Sequence, residues 1–171
     1  MKTKDGAMWK IGYKVEKYRG EISPCRTIRE WEEWRKTHAP EEVIELEKNC
    51  LLNGGITELW GIFIGSSVNH FDNSNTEIGV GDSSDAAAAT QTDLQASTNK
   101  AYLTMDASYP IVSSQSVIFM AVAGTSVANF AWNEWVIKQT TSGVCLNRKV
   151  ASLGTKTSSY SWIITATITL A

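Results

Sequence analysis

The segment from Tyr160 to Leu170 alternates apolar and polar residues over most of its length, and this period of two constrains the fold more than any other feature. One face of the predicted strand is apolar and carries Ile164, Ala166, Ile168 and Leu170. The opposite face carries Ile163 and three threonines. Such a pattern is typical of a strand with one face in a core, and we expect this strand to continue to the end of the chain.

Five further segments with strand character precede it, and clusters of turn-forming residues separate them. They span residues 77–80, 100–105, 116–123, 132–138 and 144–150. Short strands at this spacing predict a mainly β fold, which is an antiparallel β-sandwich or a jelly-roll-like domain in the C-terminal part of the chain. Residues 82–96 are predicted to form a loop with at most one helical turn.

Charge is distributed unevenly, because residues 1–50 hold 21 of the 34 charged side chains. The remaining 121 residues are rich in Ser, Thr, Ala and Gly. We therefore predict a charged N-terminal extension of mixed α/β structure at residues 1–50, and a β-sandwich-like domain at residues 51–171. The transition between the two is placed at residues 50–75.

The predicted extension contains one strand and one short helix. Residues 8–15 alternate in polarity, so one strand face would carry Trp9, Ile11, Tyr13 and Val15. Thr27 and Glu30 have the spacing of a helix capping box, which predicts a helix that reaches about His38 and ends before Pro40. Within this helix, Glu32 and Lys36 are spaced to form an ion pair.

Residues 41–50 fit either a helix or a strand, and the sequence leaves both open. From residue 54 to about 65 the spacing is helical, with Asn53 and two glycines before it and Gly65 as the stop. The apolar positions recur three and four residues apart, and we expect the helix to pack through them; they are Ile56, Leu59, Trp60 and Phe63.

The net charge of −2 argues against direct binding of nucleic acid, which requires neutralisation of phosphates by a basic surface. The longest apolar run, residues 117–123, is too short to cross a membrane as a helix, and no secretory signal is predicted, so we expect a soluble protein. Three widely spaced cysteines, Cys25, Cys50 and Cys145, favour free buried thiols and synthesis in a reducing cytoplasm.

Side chains that could perform chemistry are few, and we predict no catalytic, cofactor-binding or metal-binding residue and no enzymatic activity. His38 and His70 are the two histidines, and both are expected on the surface. Asp82 and Asp85 could hold calcium, although such residues are also ordinary components of turns. Glu134 lies alone in an aromatic segment and is expected to pair with Arg148 or Lys149, or to accept from backbone donors.

The most distinctive local feature is an aromatic cluster that consists of Phe130, Trp132 and Trp135. Three large rings within six residues either bury much area in the core or mark a contact surface. Both interpretations remain open. A further alternative is that Trp132, Trp135 or Trp162 stacks on the sugar rings of a carbohydrate receptor.

Several short motifs in fixed order resemble a family of proteins encoded among the virion genes of tailed bacteriophages and prophages. The resemblance covers residues 42–171 and rests on the segments 52–56 (LNGGI), 79–84 (GVGDSS), 90–96 (TQTDLQA), 105–110 (MDASYP), 129–135 (NFAWNEW), 146–150 (LNRKV) and 153–157 (LGTKT). None of these segments is a catalytic signature. The segment of residues 19–40 is longer than we expect for a member of this family.

The resemblance implies a structural protein of the virion, synthesised in the bacterial host cytoplasm, with capsid decoration as the first expectation. A tail or fibre-associated protein that binds a carbohydrate or receptor is the alternative. The expected partners are copies of the chain itself, as a trimer or another cyclic oligomer, and the major capsid or tail proteins. We interpret residues 19–40 either as a contact specific to one phage or as a cap on one end of the sandwich.

Overall fold

The computed structural model describes residues 9–170. Residues 1–8 lie outside it, and with them the predicted start of the first strand at Met8 and the first residues considered for a secretory signal. Ala171 also lies outside it. The elements, in chain order, are β1 (Trp9–Arg19), α1 (Ile28–Thr37), β2 (Glu42–Glu47), β3 (Cys50–Leu51), α2 (Asn53–Phe63), β4 (Thr76–Gly81), β5 (Lys100–Thr104), β6 (Ile111–Ser113), β7 (Ser116–Ala123), β8 (Glu134–Gln139), β9 (Cys145–Val150) and β10 (Tyr160–Leu170).

The strands form two antiparallel five-stranded sheets, as in a β-sandwich. Sheet A has the order β2-β1-β10-β7-β6, and sheet B has the order β3-β9-β8-β4-β5. The main core is shared between them, because side chains of β1, β7 and β10 pack in one cluster with side chains of β4, β8 and β9. The prediction of a mainly β, antiparallel sandwich is confirmed.

Strand β10 pairs with β1 along its full length, and the predicted inner face is confirmed at Ile164, Ala166 and Ile168 but not at Leu170, which is exposed at the end of the ladder opposite Trp9. Opposite residues in this pair include Ile11 with Ile168 and Val15 with Ile164, and all four are buried. A buried aliphatic side chain of this size stabilises the fold by about 1.5–3 kcal/mol, so the β1–β10 pair is a major part of the core.

The charged N-terminal region is part of the sandwich, because β1 is the second strand of sheet A and β2 forms its edge. Residues 41–50 adopt the strand alternative, with β2 over Glu42–Glu47. The predicted boundary near residue 50 therefore does not separate two cores. The change in charge density reflects exposure instead, since the edge strand β2 carries its glutamates on the surface.

Helix α1 begins as the sequence predicts. The Thr27 hydroxyl accepts from the Glu30 backbone N–H at 3.2 Å, and the Glu30 carboxylate accepts from the Arg26 backbone N–H at 2.6 Å. Lys36 pairs with Glu33 at 2.7 Å, three residues away, so the predicted pairing of Lys36 with Glu32 is wrong.

The α1 segment covers the outer face of sheet A, so it does not cap an end of the sandwich. Trp31 is fully buried, and its indole N–H donates to Asp106 at 2.9 Å. It packs in a second cluster together with Ile22, Met120 and Ile163. Ile163 is the one apolar residue among the threonines on the outer face of β10, because this position lies beneath α1.

All six strands predicted in residues 77–170 are present, and two of them, β7 and β10, have the predicted bounds. Strand β6 was not predicted; it has three residues directly after Pro110, and among the described strands it pairs with β7 alone. Residues 82–96 contain no helix. This part of the chain is an extended loop over sheet B.

Candidate functional site

Helix α2 approaches sheet B through a glycine. Gly55 is buried, and a β-carbon at this position would lie 2.5 Å from the Leu146 Cα atom in β9. The absence of a side chain therefore allows the helix to lie directly on the β9 backbone. Leu52 is buried on the same side, and Leu59 is partly buried against the main core.

The face that we predicted to pack is mostly exposed, so this prediction is wrong. Of the four positions, Leu59 alone packs against the core, while Ile56, Trp60 and Phe63 are turned toward solvent. The reason is that α2 is apolar on several sides. The close approach at Gly55, and not the largest side chains, determines which side meets the sheet.

An exposed apolar surface results, which we call the α2 surface and define as Ile56, Trp60, Phe63, Ile64 and Val68. Trp60 is 60% exposed, Phe63 is 80% exposed and Val68 is 85% exposed. The Trp60 and Phe63 rings contact each other edge to face, with 6.1 Å between centroids. Glu58 is the one Asp, Glu, Lys or Arg residue in the segment 51–71.

A cleft of about 420 Å³ lies beside this surface, between α2 and the edge strand β6; we call it the α2–β6 cleft. Its walls are mainly apolar, and the side chains that line it include Leu59, Ile62, Phe71, Val112, Phe119 and Ile168. Val112 in β6 is 77% exposed. Leu59 and Ile62 thus line the recess from the same helix that carries the protruding rings of Trp60 and Phe63.

The aromatic cluster of residues 130–135 belongs to the core. Trp132 and Trp135 have no exposed surface, and Phe130 is half-buried against the same core. The Trp132 ring meets the Trp162 ring edge to face at 4.9 Å, and the Trp135 ring meets the Tyr13 ring at 5.1 Å. Neither tryptophan forms a contact surface in this structure.

The burial of these rings also bears on carbohydrate binding. Trp162 is 2% exposed, so none of the three tryptophans proposed to stack on sugar rings presents a face to solvent. Stacking on a sugar requires an accessible ring face. The exposed aromatic rings of residues 9–170 lie elsewhere, at Trp9, Trp60 and Phe63.

Glu134 forms a buried ion pair with Arg148, and it also accepts from backbone donors, as predicted. One carboxylate oxygen accepts from Arg148 Nε at 2.7 Å and from the Gln95 N–H at 2.9 Å; the other accepts from the Ala96 N–H at 2.7 Å. Arg148 in turn donates to the carbonyl oxygen of Asp85. Both charged side chains are fully buried, so the pair fixes the loop over sheet B and is inaccessible to a substrate.

Lys156 is a second buried charged group. Its ammonium donates to the Gly124 carbonyl oxygen at 2.7 Å and to Asn129 Oδ1 at 2.9 Å. The side chain is almost completely buried, and burial lowers the pKa of Lys156 to about 8. Both contacts are structural, because they join the turn after β7 to the segment before β10.

The lowered pKa predicts how stability depends on pH. The unfolded chain, in which the lysine pKa is about 10.4, binds more protons than the folded chain between about pH 8 and pH 10, so stability should rise with pH in this window. We expect wild type to gain about 2 kcal/mol over Lys156→Met between about pH 7 and pH 9.5, measured by urea unfolding. Parallel pH profiles of the two proteins would contradict the assignment.

The remaining candidate residues do not converge on one site. His38 ends α1 and stacks on Trp34, and His70 lies in an exposed loop. Asp82 accepts from Asn99 at 2.7 Å, while Asp85 is exposed. Between residues 9 and 170, no group of three or more His, Cys, Asp or Glu side chains is placed to hold a metal ion.

The cysteines are free, and they differ in burial. Cys145 is buried, and burial raises the pKa of its thiol to about 12, whereas Cys25 and Cys50 are half-buried. The expectation of a buried thiol is thus met at Cys145 alone. None of the helices in residues 9–170 is long and apolar enough to cross a membrane.

Of the five residues of the α2 surface, Ile56, Trp60 and Phe63 were predicted to face the interior, and Ile64 and Val68 were not predicted to have a role. The signal for a surface role was present in the near absence of charge from residues 51–71, since the core of an interface is depleted of charge. Comparison with protein-family models, curated proteins and solved structures finds no match to this chain.

Proposed function

We propose that this protein is a non-enzymatic structural component of a tailed bacteriophage particle, and that it acts as a capsid decoration protein by self-assembly and by docking on the particle. The observation that carries the role in assembly is the α2 surface, where large apolar side chains are exposed to solvent. The assignment to a phage particle rests on the motif series between residues 52 and 157.

The size of the α2 surface supports a role in assembly. With about 150–250 Å² for a large aromatic side chain and somewhat less for an aliphatic one, its five residues expose roughly 500 Å² of apolar area. The largest apolar patch of a typical monomeric protein is about 300–600 Å² and often functional. The α2 surface reaches this range before the adjoining cleft is included.

The distribution of buried polar groups supports a role in binding over a role in catalysis. Glu134, Arg148 and Lys156 are all buried away from solvent, and each is hydrogen-bonded to other parts of the protein. A catalytic acid or base has to reach its substrate within hydrogen-bond distance. These groups instead hold loops in place, which suits a particle protein whose work is burial of surface against its neighbours.

We also interpret the finer topology as jelly-roll-like. Strand β1 pairs with β10, and β3 pairs with β9, so strands from the two ends of the chain are paired in both sheets. This nested arrangement is typical of the jelly-roll domains of many capsid proteins. The inner strands differ, because β4 and β5, β6 and β7, and β8 and β9 pair as sequence neighbours.

Docking on the particle can be tested by cosedimentation of the purified protein with particles that lack it. We expect wild type to bind, and the double variant Trp60→Ser, Phe63→Ser to bind more than about tenfold more weakly, because it loses the exposed aromatic anchors through which neighbouring copies hold each other on the particle. The variant should keep the fold, since both side chains are largely exposed.

Val127→Ser provides the matched control, because Val127 is also exposed and apolar but lies in a loop outside the α2 surface. It should bind like wild type. Negative-stain images of particles made with and without the protein give an independent readout. Unchanged particles that contain no trace of the protein would exclude the proposed function.

A further inference from the structure

We propose that the α2 surface packs against the α2 surface of a second copy of this chain in a contact with two-fold symmetry. This inference rests on the proposed function, since it names a second copy of the chain, assembled on the particle next to the first, as the occupant of the α2 surface. The geometric basis is that Trp60 and Phe63 protrude from α2, and that the same helix lines the α2–β6 cleft through Leu59 and Ile62. A two-fold rotation can bring the protruding rings of each copy to the recess of the other, which is the condition for an isologous interface.

Charge favours a second copy over a charged partner. The five residues of the α2 surface carry no charge, and the one carboxylate on α2, that of Glu58, lies outside this set and accepts from the Ser67 hydroxyl at 2.5 Å. A strongly charged partner would lose its hydration against this surface without gaining an ion pair. A second α2 surface, which is equally free of charge, avoids that penalty.

The position of α2 in the fold also favours self-association. The acidic edge strand β2 carries Glu42, Glu45 and Glu47, and it lies at the opposite edge of sheet A from β6. A contact made through α2 and the cleft beside β6 therefore keeps the two acidic edges apart. Like charges on the two copies would oppose association much less than in a contact through β2.

The area is sufficient for a stable contact. Two apolar surfaces of roughly 500 Å² each give a buried area of about 1,000 Å², the lower bound for a specific interface. The rims of the two clefts add to this area. The exposed strand β6, with Val112 at its centre, would lie at the border of the contact.

Light scattering coupled to size-exclusion chromatography tests the inference. We expect wild type, at up to about 100 μM, to elute with the mass of two chains of 18.8 kDa each and to dissociate on dilution. The double variant Trp60→Ser, Phe63→Ser should elute as a monomer over the same range, and Val127→Ser should behave as wild type. Circular dichroism and urea unfolding check that both variants are folded.

The outcomes separate this inference from the proposed function. Wild type that stays monomeric at every concentration but still binds particles overturns self-association through α2 and leaves docking intact. Wild-type dimers that never bind particles overturn the proposed function and support the inference. Dimers that persist in the folded double variant overturn the inference, because the contact would then lie elsewhere.

Discussion

Glu134→Gln should lower the free energy of unfolding by about 3–5 kcal/mol, because it leaves the buried guanidinium of Arg148 without a counter-charge. The variant side chain has nearly the same size, so no cavity is created. Its amide group would also face one of the two backbone N–H groups, of Gln95 or Ala96, that the carboxylate now accepts from. Urea unfolding, compared with wild type at the same pH, measures the effect.

A double-mutant cycle separates the ion pair from simple loss of a hydrogen bond. Glu134→Gln combined with Arg148→Met should recover a large part of the loss, since neither charge is then buried alone. Glu33→Gln is the matched control, because it breaks the exposed pair with Lys36 and should cost less than about 1 kcal/mol. Equal losses at Glu33 and Glu134 would contradict the burial of the pair.

Gly55→Ala should lower the free energy of unfolding by about 3 kcal/mol, because the added methyl group would overlap the backbone of β9. The nearest atoms are Leu146 Cα at 2.5 Å, Leu146 O at 2.6 Å and Cys145 O at 2.8 Å. Backbone atoms within a paired strand cannot rotate away as a side chain can. The helix would have to shift away from sheet B, and urea unfolding of the variant measures the cost.

Gly54→Ala is the matched control in the same helix. A β-carbon at Gly54 meets nothing within 4 Å, so the substitution should stabilise the protein by about 0.5–1 kcal/mol through helix propensity alone. The free energy of unfolding is thus expected to fall in Gly55→Ala and to rise in Gly54→Ala. Equal effects at both positions would show that α2 does not lie on β9 as described.

The strands could be predicted from the sequence because their polarity pattern and their environment agree. In β7 and β10 the turn residues and the apolar periodicity mark the same bounds, and the inner face of β1 follows from simple alternation. Strand β6 could not be predicted, since three residues are too few to show a period. The strand at residues 42–47 was ambiguous because an exposed edge strand carries many charges.

The two aromatic features could not be assigned from sequence because burial is decided by tertiary contacts. Residues 130–133 precede β8 and are irregular, so alternation does not apply to them, and both Trp132 and Trp135 reach the core. In α2 the apolar residues occupy several sides of the helix, and periodicity cannot choose between them. The choice follows from Gly55, whose partner Leu146 is about ninety residues away in the sequence.

The pairing of β1 with β10 also has a consequence for the order of folding. Trp9 lies opposite Leu170 in this ladder, so β1 must wait until every element up to β10 has been synthesised before its partner exists. Sheet A therefore cannot be completed on the ribosome until residues 160–170 have emerged, whereas the hairpins β4–β5, β6–β7 and β8–β9 can form locally. During that interval β1 presents an unpaired edge and an uncovered apolar face, and exposure of this kind promotes aggregation.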